Sequence, residues 1–128
     1  MTRLKRSTGE KPLFWTGSSK QDLLAFPEAV IDEVGTALSV AQFGGKHRSA
    51  KPWRGEGPGV FEVVEDYRGD TYRAVYTVQF PGAIYVLHAF QKKSLGGIKT
   101  ARRDVEQVRR RLSEAKADYE VRYGKEKN

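Results

Sequence analysis

Gly69-Asp70-Thr71-Tyr72-Arg73-Ala74-Val75-Tyr76-Thr77-Val78 is followed, past Pro81-Gly82, by Ile84-Tyr85-Val86-Leu87-His88-Ala89-Phe90-Gln91-Lys92-Lys93-Ser94. β-Branched and aromatic residues fill both runs and turn residues separate them, the pattern of consecutive strands in a hairpin. In a strand successive side chains point to opposite faces. Tyr72, Ala74, Tyr76, Val78 and Phe80 therefore share one face, leaving Arg73 with Val75, Thr77 and Gln79 on the other, among smaller or polar neighbours. On the next strand strict alternation groups Ile84, Val86, His88, Phe90 and Lys92, opposite Tyr85, Leu87, Ala89 and Gln91.

Working outward, residues 60–65 form a third apolar run with interleaved carboxylates, and Arg68-Gly69-Asp70 supplies the turn that leads into 72–80. Three antiparallel strands are expected. Upstream, Leu13-Phe14-Trp15 reads as a short strand ended by Gly17, and Ser18 or Ser19 can cap a helical turn carrying Leu23 and Leu24. Pro27 then begins a second helix in which Val30, Val34, Leu38 and Ala41 recur at helical spacing until Gly44-Gly45 stops it. The stretch 45–59 reads as a loop. Downstream, Thr100 caps a helix over about 101–119 whose Val105, Val108, Leu112 and Ala115 make one apolar stripe. The fold class expected is α+β: two N-terminal helices packed on a small antiparallel sheet with a C-terminal helix. One domain over 12–123 is expected, with a flexible basic arm at 1–11 and a flexible tail at 124–128.

Of the 23 Lys and Arg in 128 residues, nine lie in 1–64 against seven Asp and Glu, and fourteen lie in 65–128 against nine, so the net +7 is concentrated in the second half. The segment from His88 to Arg111 holds Lys92, Lys93, Lys99, Arg102, Arg103, Arg109, Arg110 and Arg111 against Asp104 and Glu106. A polyanion is the partner such a surface suits, and nucleic acid is the commonest polyanion. No apolar run approaches the roughly 20 residues that span a bilayer. The basic start does not lead into the apolar stretch of a secretory signal. With no cysteine there is neither a disulfide nor a zinc–thiolate site, and the cytoplasm is the expected compartment.

Clustered metal ligands and a Gly-rich phosphate loop are both missing from the sequence, so neither a metal nor another cofactor is expected. Metal-free RNA cleavage needs a base for the 2′-hydroxyl proton, cations for the charge developing at phosphorus, and an acid for the departing 5′-oxygen. Arg73, His88, Lys92 and Lys93 are the candidate catalytic residues. Arginine's fixed fork suits phosphate oxygens, and histidine or a lysine of lowered pKa can move a proton. Lys51, Arg54, Arg68, Lys99, Arg102 and Arg103 are candidate RNA contacts, with Phe90 a candidate platform for a splayed base.

The run from Phe61-Glu62-Val63-Val64-Glu65 to Val78, together with Tyr85-Val86-Leu87-His88-Ala89-Phe90-Gln91-Lys92-Lys93-Ser94, resembles the phage-derived Gp49-like branch of HigB toxins in the RelE/ParE superfamily. Asp22-Leu23-Leu24-Ala25-Phe26-Pro27, Ala37-Leu38 with Ala41-Gln42 and Gly44, and Ala50-Lys51-Pro52 extend the likeness over about residues 11–119. The resemblance implies a RelE-like fold and the toxin of a type II toxin–antitoxin system. It further implies a ribosome-dependent mRNA endoribonuclease, an mRNA interferase that inhibits translation by cutting mRNA on the ribosome. The partner it implies is a cognate antitoxin of the helix-turn-helix HigA type. By position, Arg73 matches the arginine that contacts the scissile phosphate, and Lys92 or Lys93 the basic residue beyond the last strand. The chain departs from RelE in two places: Glu62 and Glu65 stand on a strand that bears lysines there, and Gly96-Gly97-Ile98 stands where RelE has a tyrosine. A ParE-like gyrase inhibitor and a noncatalytic RNA-binding module are the alternative functions, since fold does not fix activity.

Overall fold

The computed structural model describes residues 9–92 and 100–124. Strand β1 (Leu13–Trp15) is followed by helices α1 (Ser19–Leu24) and α2 (Glu28–Gln42). Strands β2 (Ala50–Pro52), β3 (Val60–Tyr67), β4 (Asp70–Thr77) and β5 (Ile84–Lys92) come next, and helix α3 (Arg102–Tyr123) closes the order. The strands form one sheet in the order β1-β5-β4-β3-β2. Two N-terminal helices, a sheet and a C-terminal helix are as expected, but the sheet is mixed. Its central hairpins are antiparallel, whereas β1 lies parallel to β5, Leu13 opposite Ile84 and Trp15 opposite Val86.

Each remaining difference from the sequence reading has a local cause. The stretch read as a loop contains β2, whose Lys51 pairs with Glu62 on β3. Strand β3 runs two residues further than expected because the hairpin closes tightly: Tyr67 faces Asp70 across a two-residue turn, Arg68 at φ 52° and Gly69 at φ 86°. Strand β4 ends at Thr77, whose hydroxyl donates to the Gly59 carbonyl at 3.1 Å. Pro27, expected to begin α2, is its N-cap with Glu28 the first helical residue, Ala101 rather than Thr100 is the N-cap of α3, and α3 continues to Tyr123. Of the expected N-terminal arm, Lys11 is tied down: its amide donates to the Gln42 carbonyl and its carbonyl accepts from the Gln42 side chain, both at 2.8 Å. Residues 1–8 and 125–128 of the expected arm and tail lie outside the described residues.

Two cores sandwich the sheet. On one face Leu23 of α1 and Val30, Val34, Ala37, Leu38 and Ala41 of α2 pack on Val63, Tyr72, Ala74, Tyr76, Ile84, Val86 and Ala89. On the other, Val108 and Ala115 of α3 pack on Trp53, Val60, Val75, Tyr85, Leu87 and Phe90. Fully burying each of the larger side chains is worth about 1.5–3 kcal/mol. A β-bulge lets β5 serve both cores: Val75 faces His88, yet the next residue, Tyr76, faces Val86. Strict alternation therefore fails at Leu87. Ile84 and Val86 point toward α1 and α2, whereas Leu87 and Phe90 point toward α3.

Arg111 locks α3 to the sheet, which corrects its reading as part of the basic surface suited to a polyanion. It is 7% exposed. Its Nη1 donates to the carbonyls of Thr16 at 3.2 Å and Leu87 at 3.0 Å, and its Nη2 to the Ser18 hydroxyl at 3.3 Å. The guanidinium lies against Gly17, where an added Cβ would sit 2.5 Å from Arg111 Cζ.

Candidate functional site

Pairing across the sheet fixes which polar side chains meet on the α3 side. One row crosses Lys51 on β2, Glu62 on β3, Val75 on β4 and His88 on β5. The next crosses Val64, Arg73 and Phe90, and the one after it Asp66, Thr71 and Lys92. The bulge places His88, Phe90 and Lys92 on the face that already holds Arg73. Arg73 thus does not occupy a separate, emptier face. Helix α3 covers only part of this surface, and beside its first turn a cleft of about 510 Å³ opens among Lys51, Trp53, Arg54, Glu62, Arg73 and Val105.

Charge in the cleft is unbalanced toward cations. Arg73 Nη1 donates to Glu62 Oε1 at 2.6 Å, with both side chains 13% exposed. Lys92 is held below the usual lysine range, first by burial, then by the Arg73 cation, with Glu62 pulling the other way and Lys51 adding to the depression. A site where cations repel one another in this way gains when an anion enters.

His88 is 7% exposed, and its Nε2 lies 2.8 Å from Asp104 Oδ1 in the first turn of α3. Its ring stacks on Phe90 with centroids 4.8 Å apart and planes 21° from parallel. Phe90, expected as a platform for a base, is thus buried and occupied by His88. Three buried side-chain atoms among the described residues have no protein hydrogen-bond partner: Trp53 Nε1, Arg73 Nε and His88 Nδ1. Two of these residues line the cleft and the third lies on the same face. Leaving such a group unpaired costs about 1–3 kcal/mol, a cost that falls here on three groups of one face.

The other expected residues scatter around this centre. Lys51 and Arg54 are exposed on the cleft wall. Arg68 is exposed at the tip of the β3–β4 hairpin, at the Lys92 end of the sheet, with its guanidinium 5.2 Å from the Tyr67 ring centroid. Arg102 and Arg103 are exposed at the start of α3. Lys93 and Lys99 lie outside the described residues. Glu62, Trp53 and Asp104 belong to the arrangement although sequence reasoning assigned none of them a role there, Glu62 standing out only as a departure from RelE. Register would have found Glu62 once β3 was paired with β4; Asp104 reaches His88 only through the docking of α3. Among the described residues no three His, Asp or Glu side chains gather as metal ligands. Nor, among the described residues, is any helix long and apolar enough to cross a membrane.

No curated protein sequence matches this chain. Among solved structures, the toxin–antitoxin complex RelBE2 from Mycobacterium tuberculosis aligns with 68% of this chain and 97% of its own, at 22% identity and a TM-score of 0.41. The sequence profile of the phage-derived Gp49-like proteins matches residues 21–113, which include most of α1, all of α2, strands β2 to β5 and the first half of α3. The chain therefore belongs to the phage-derived Gp49-like family, a family of RelE/HigB-type toxins.

Proposed function

We propose that this chain is the toxin of a type II toxin–antitoxin pair and that it arrests translation as a metal-independent endoribonuclease, cutting mRNA on the ribosome. The observation that carries the reading is the cleft itself. Lys51, Arg54 and Arg73 line it with Glu62 as the one carboxylate among its described lining residues, Lys92 lies near enough to feel the charges of Arg73, Glu62 and Lys51, and unpaired donors of Arg73 and Trp53 accompany them.

The roles follow from what each group can do. Arg73 places its guanidinium on the scissile phosphate and stabilises the charge that builds on the non-bridging oxygens. Glu62 holds that guanidinium in orientation until the substrate arrives. His88 takes the 2′-hydroxyl proton, the 2′-oxygen attacks phosphorus, and the P–O5′ bond breaks to leave a 2′,3′-cyclic phosphate. Lys92, made more acidic by its surroundings, protonates the departing 5′-oxygen, with Lys93 beside it in sequence as a second cation. Lys51, Arg54, Arg68, Lys99, Arg102 and Arg103 bind flanking phosphates. A ribosome-bound substrate places the activity in the cytoplasm. A HigA-type helix-turn-helix antitoxin is the partner that restrains it.

The test is induction of the parent and of Arg73→Ala in bacterial cells with mRNA 5′ ends mapped. The parent should generate new ends within translated frames and the variant about 10²–10³-fold fewer. Arg73→Ala arresting growth as strongly as the parent would remove RNA cleavage as the mechanism. Arrest without new ends, but with blocked gyrase, would establish the ParE-like alternative.

A further inference from the structure

We infer that Asp104 is a positioning residue for this cleavage, fixing His88 in the tautomer whose Nδ1 is the free base. The role rests on the reading proposed above, but the geometry beneath it is independent. An ionised carboxylate can only accept hydrogen bonds. With Asp104 Oδ1 2.8 Å from Nε2, the ring nitrogen that carries the hydrogen is Nε2. In the neutral imidazole the lone pair is then left on Nδ1, the atom that has no protein partner and is shielded from solvent. Nδ1 is closed to solvent in this structure, so a substrate hydroxyl reaches it only once the surface above it opens. Turning the ring over to offer Nε2 instead would forfeit its bond to Asp104.

The proton balance follows. As the 2′-oxygen forms its bond to phosphorus its proton passes to Nδ1, and the resulting imidazolium is stabilised across Nε2 by the Asp104 carboxylate. The P–O5′ bond breaks as Lys92 supplies a proton to the 5′-oxygen. A ligand that fits must offer acceptors to the donors of Arg73 and Trp53 and a donor to Nδ1. A phosphodiester beside a ribose 2′-hydroxyl does both. DNA lacks that hydroxyl and leaves Nδ1 unpaired.

The experiment compares the full-length parent with Asp104→Asn and Asp104→Ala, reading His88 by long-range ¹H–¹⁵N NMR and cleavage by single-turnover kinetics on ribosomes carrying mRNA. The parent should show a pyridine-type Nδ1 and a protonated Nε2. Asp104→Asn, similar in size but able to donate to Nε2, should move the hydrogen to Nδ1 and lower kcat about 10²-fold or more with KM changed less than about threefold. Its thermal melting should stay near the parent's. A parent with a protonated Nδ1, or an Asp104→Asn variant with unaltered kcat, overturns the role, and the pair is then only a clasp between β5 and α3. Absence of cleavage by the parent sinks the endoribonuclease reading and this role with it, whereas the NMR signature reports the tautomer independently.

Discussion

Gly17→Ala should destabilise this protein more than an ordinary surface glycine replacement, because two costs coincide at that position. The backbone there has φ 48°, in the left-handed region where an L side chain costs about 1 kcal/mol. The new methyl would lie 2.5 Å from Cζ and 2.6 Å from Nε of Arg111, a separation that atoms do not sustain. The guanidinium must retreat, and retreat breaks one of its bonds to Thr16 and Leu87. Losing one charge-assisted bond costs about 2 kcal/mol. The total is roughly 3 kcal/mol, equivalent to a fall in Tm of about 10 °C for a chain of this size. Urea unfolding should be read in two backgrounds. With Arg111→Met already present, Gly17→Ala should cost only its backbone share of about 1 kcal/mol, giving a coupling of about 2 kcal/mol in the double-mutant cycle. A loss below 1 kcal/mol in the parent, or equal losses in both backgrounds, would refute the argument.

Lys92→Met should make the fold slightly more stable while cutting RNA cleavage by about 10-fold or more, since it removes a cation that burial and Arg73 disfavour; parallel melting and cleavage assays decide, and a variant that keeps full activity removes Lys92 from the chemistry. Ribosome affinity should fall steeply between about 50 and 200 mM salt if phosphates bind along the cleft and the start of α3; filter binding would expose a flat response, which favours a protein target. Tyr85 donates to Asp118, which Arg122 also grips, and these contacts lower the Asp118 carboxyl while burial and the same bond raise Tyr85. The Asp118 contribution to stability should be full above the ordinary value of 3.8 and decline as pH falls through its lowered one. At the alkaline end, Tyr85 and Tyr76, the latter pushed up to about 12 by burial, contribute fully below 10 and progressively less as pH rises past it. Denaturation followed across both limbs in Asp118→Asn and Tyr85→Phe should flatten the corresponding limb, and unchanged curves would remove these pairs from the account.

Local patterns made much of the fold legible. Turn residues at Arg68-Gly69 and Pro81-Gly82 announce the hairpins, and the spacing of Val30, Val34, Leu38 and Ala41 marks the buried side of α2. What sequence conceals is pairing between distant segments. β1 joins β5 through contacts that span seventy residues, as in the Thr16 hydroxyl's bond to the Val86 carbonyl, and three residues of β2 carry too little periodicity to stand out from a loop. Arg111 reads as one more surface cation because composition does not reveal the carbonyls waiting for it. For the candidate site, Arg73 and Lys92 are visible as cations on strands, but their meeting depends on an irregularity at Leu87 that neither glycine nor proline advertises. Asp104 is visible only once α3 is docked.

That irregularity makes chain length across 84–92 a quantity under tighter control than the identity of the residues. The bulge inverts the inward and outward sense of β5 once: Ile84, Val86 and, beyond it, Ala89 face one core, while Tyr85, Leu87 and Phe90 face the other. Conservative substitutions at Leu87 or Ala89 disturb packing by degrees. Removing or inserting a single residue between Val86 and His88 instead rotates everything beyond it by half a turn, sending His88 and Lys92 toward α2 and away from Arg73 and Asp104. Among variants in this strand, those that change its sequence can remain toxins, while those that change its length by one fold around a dismantled site or do not fold.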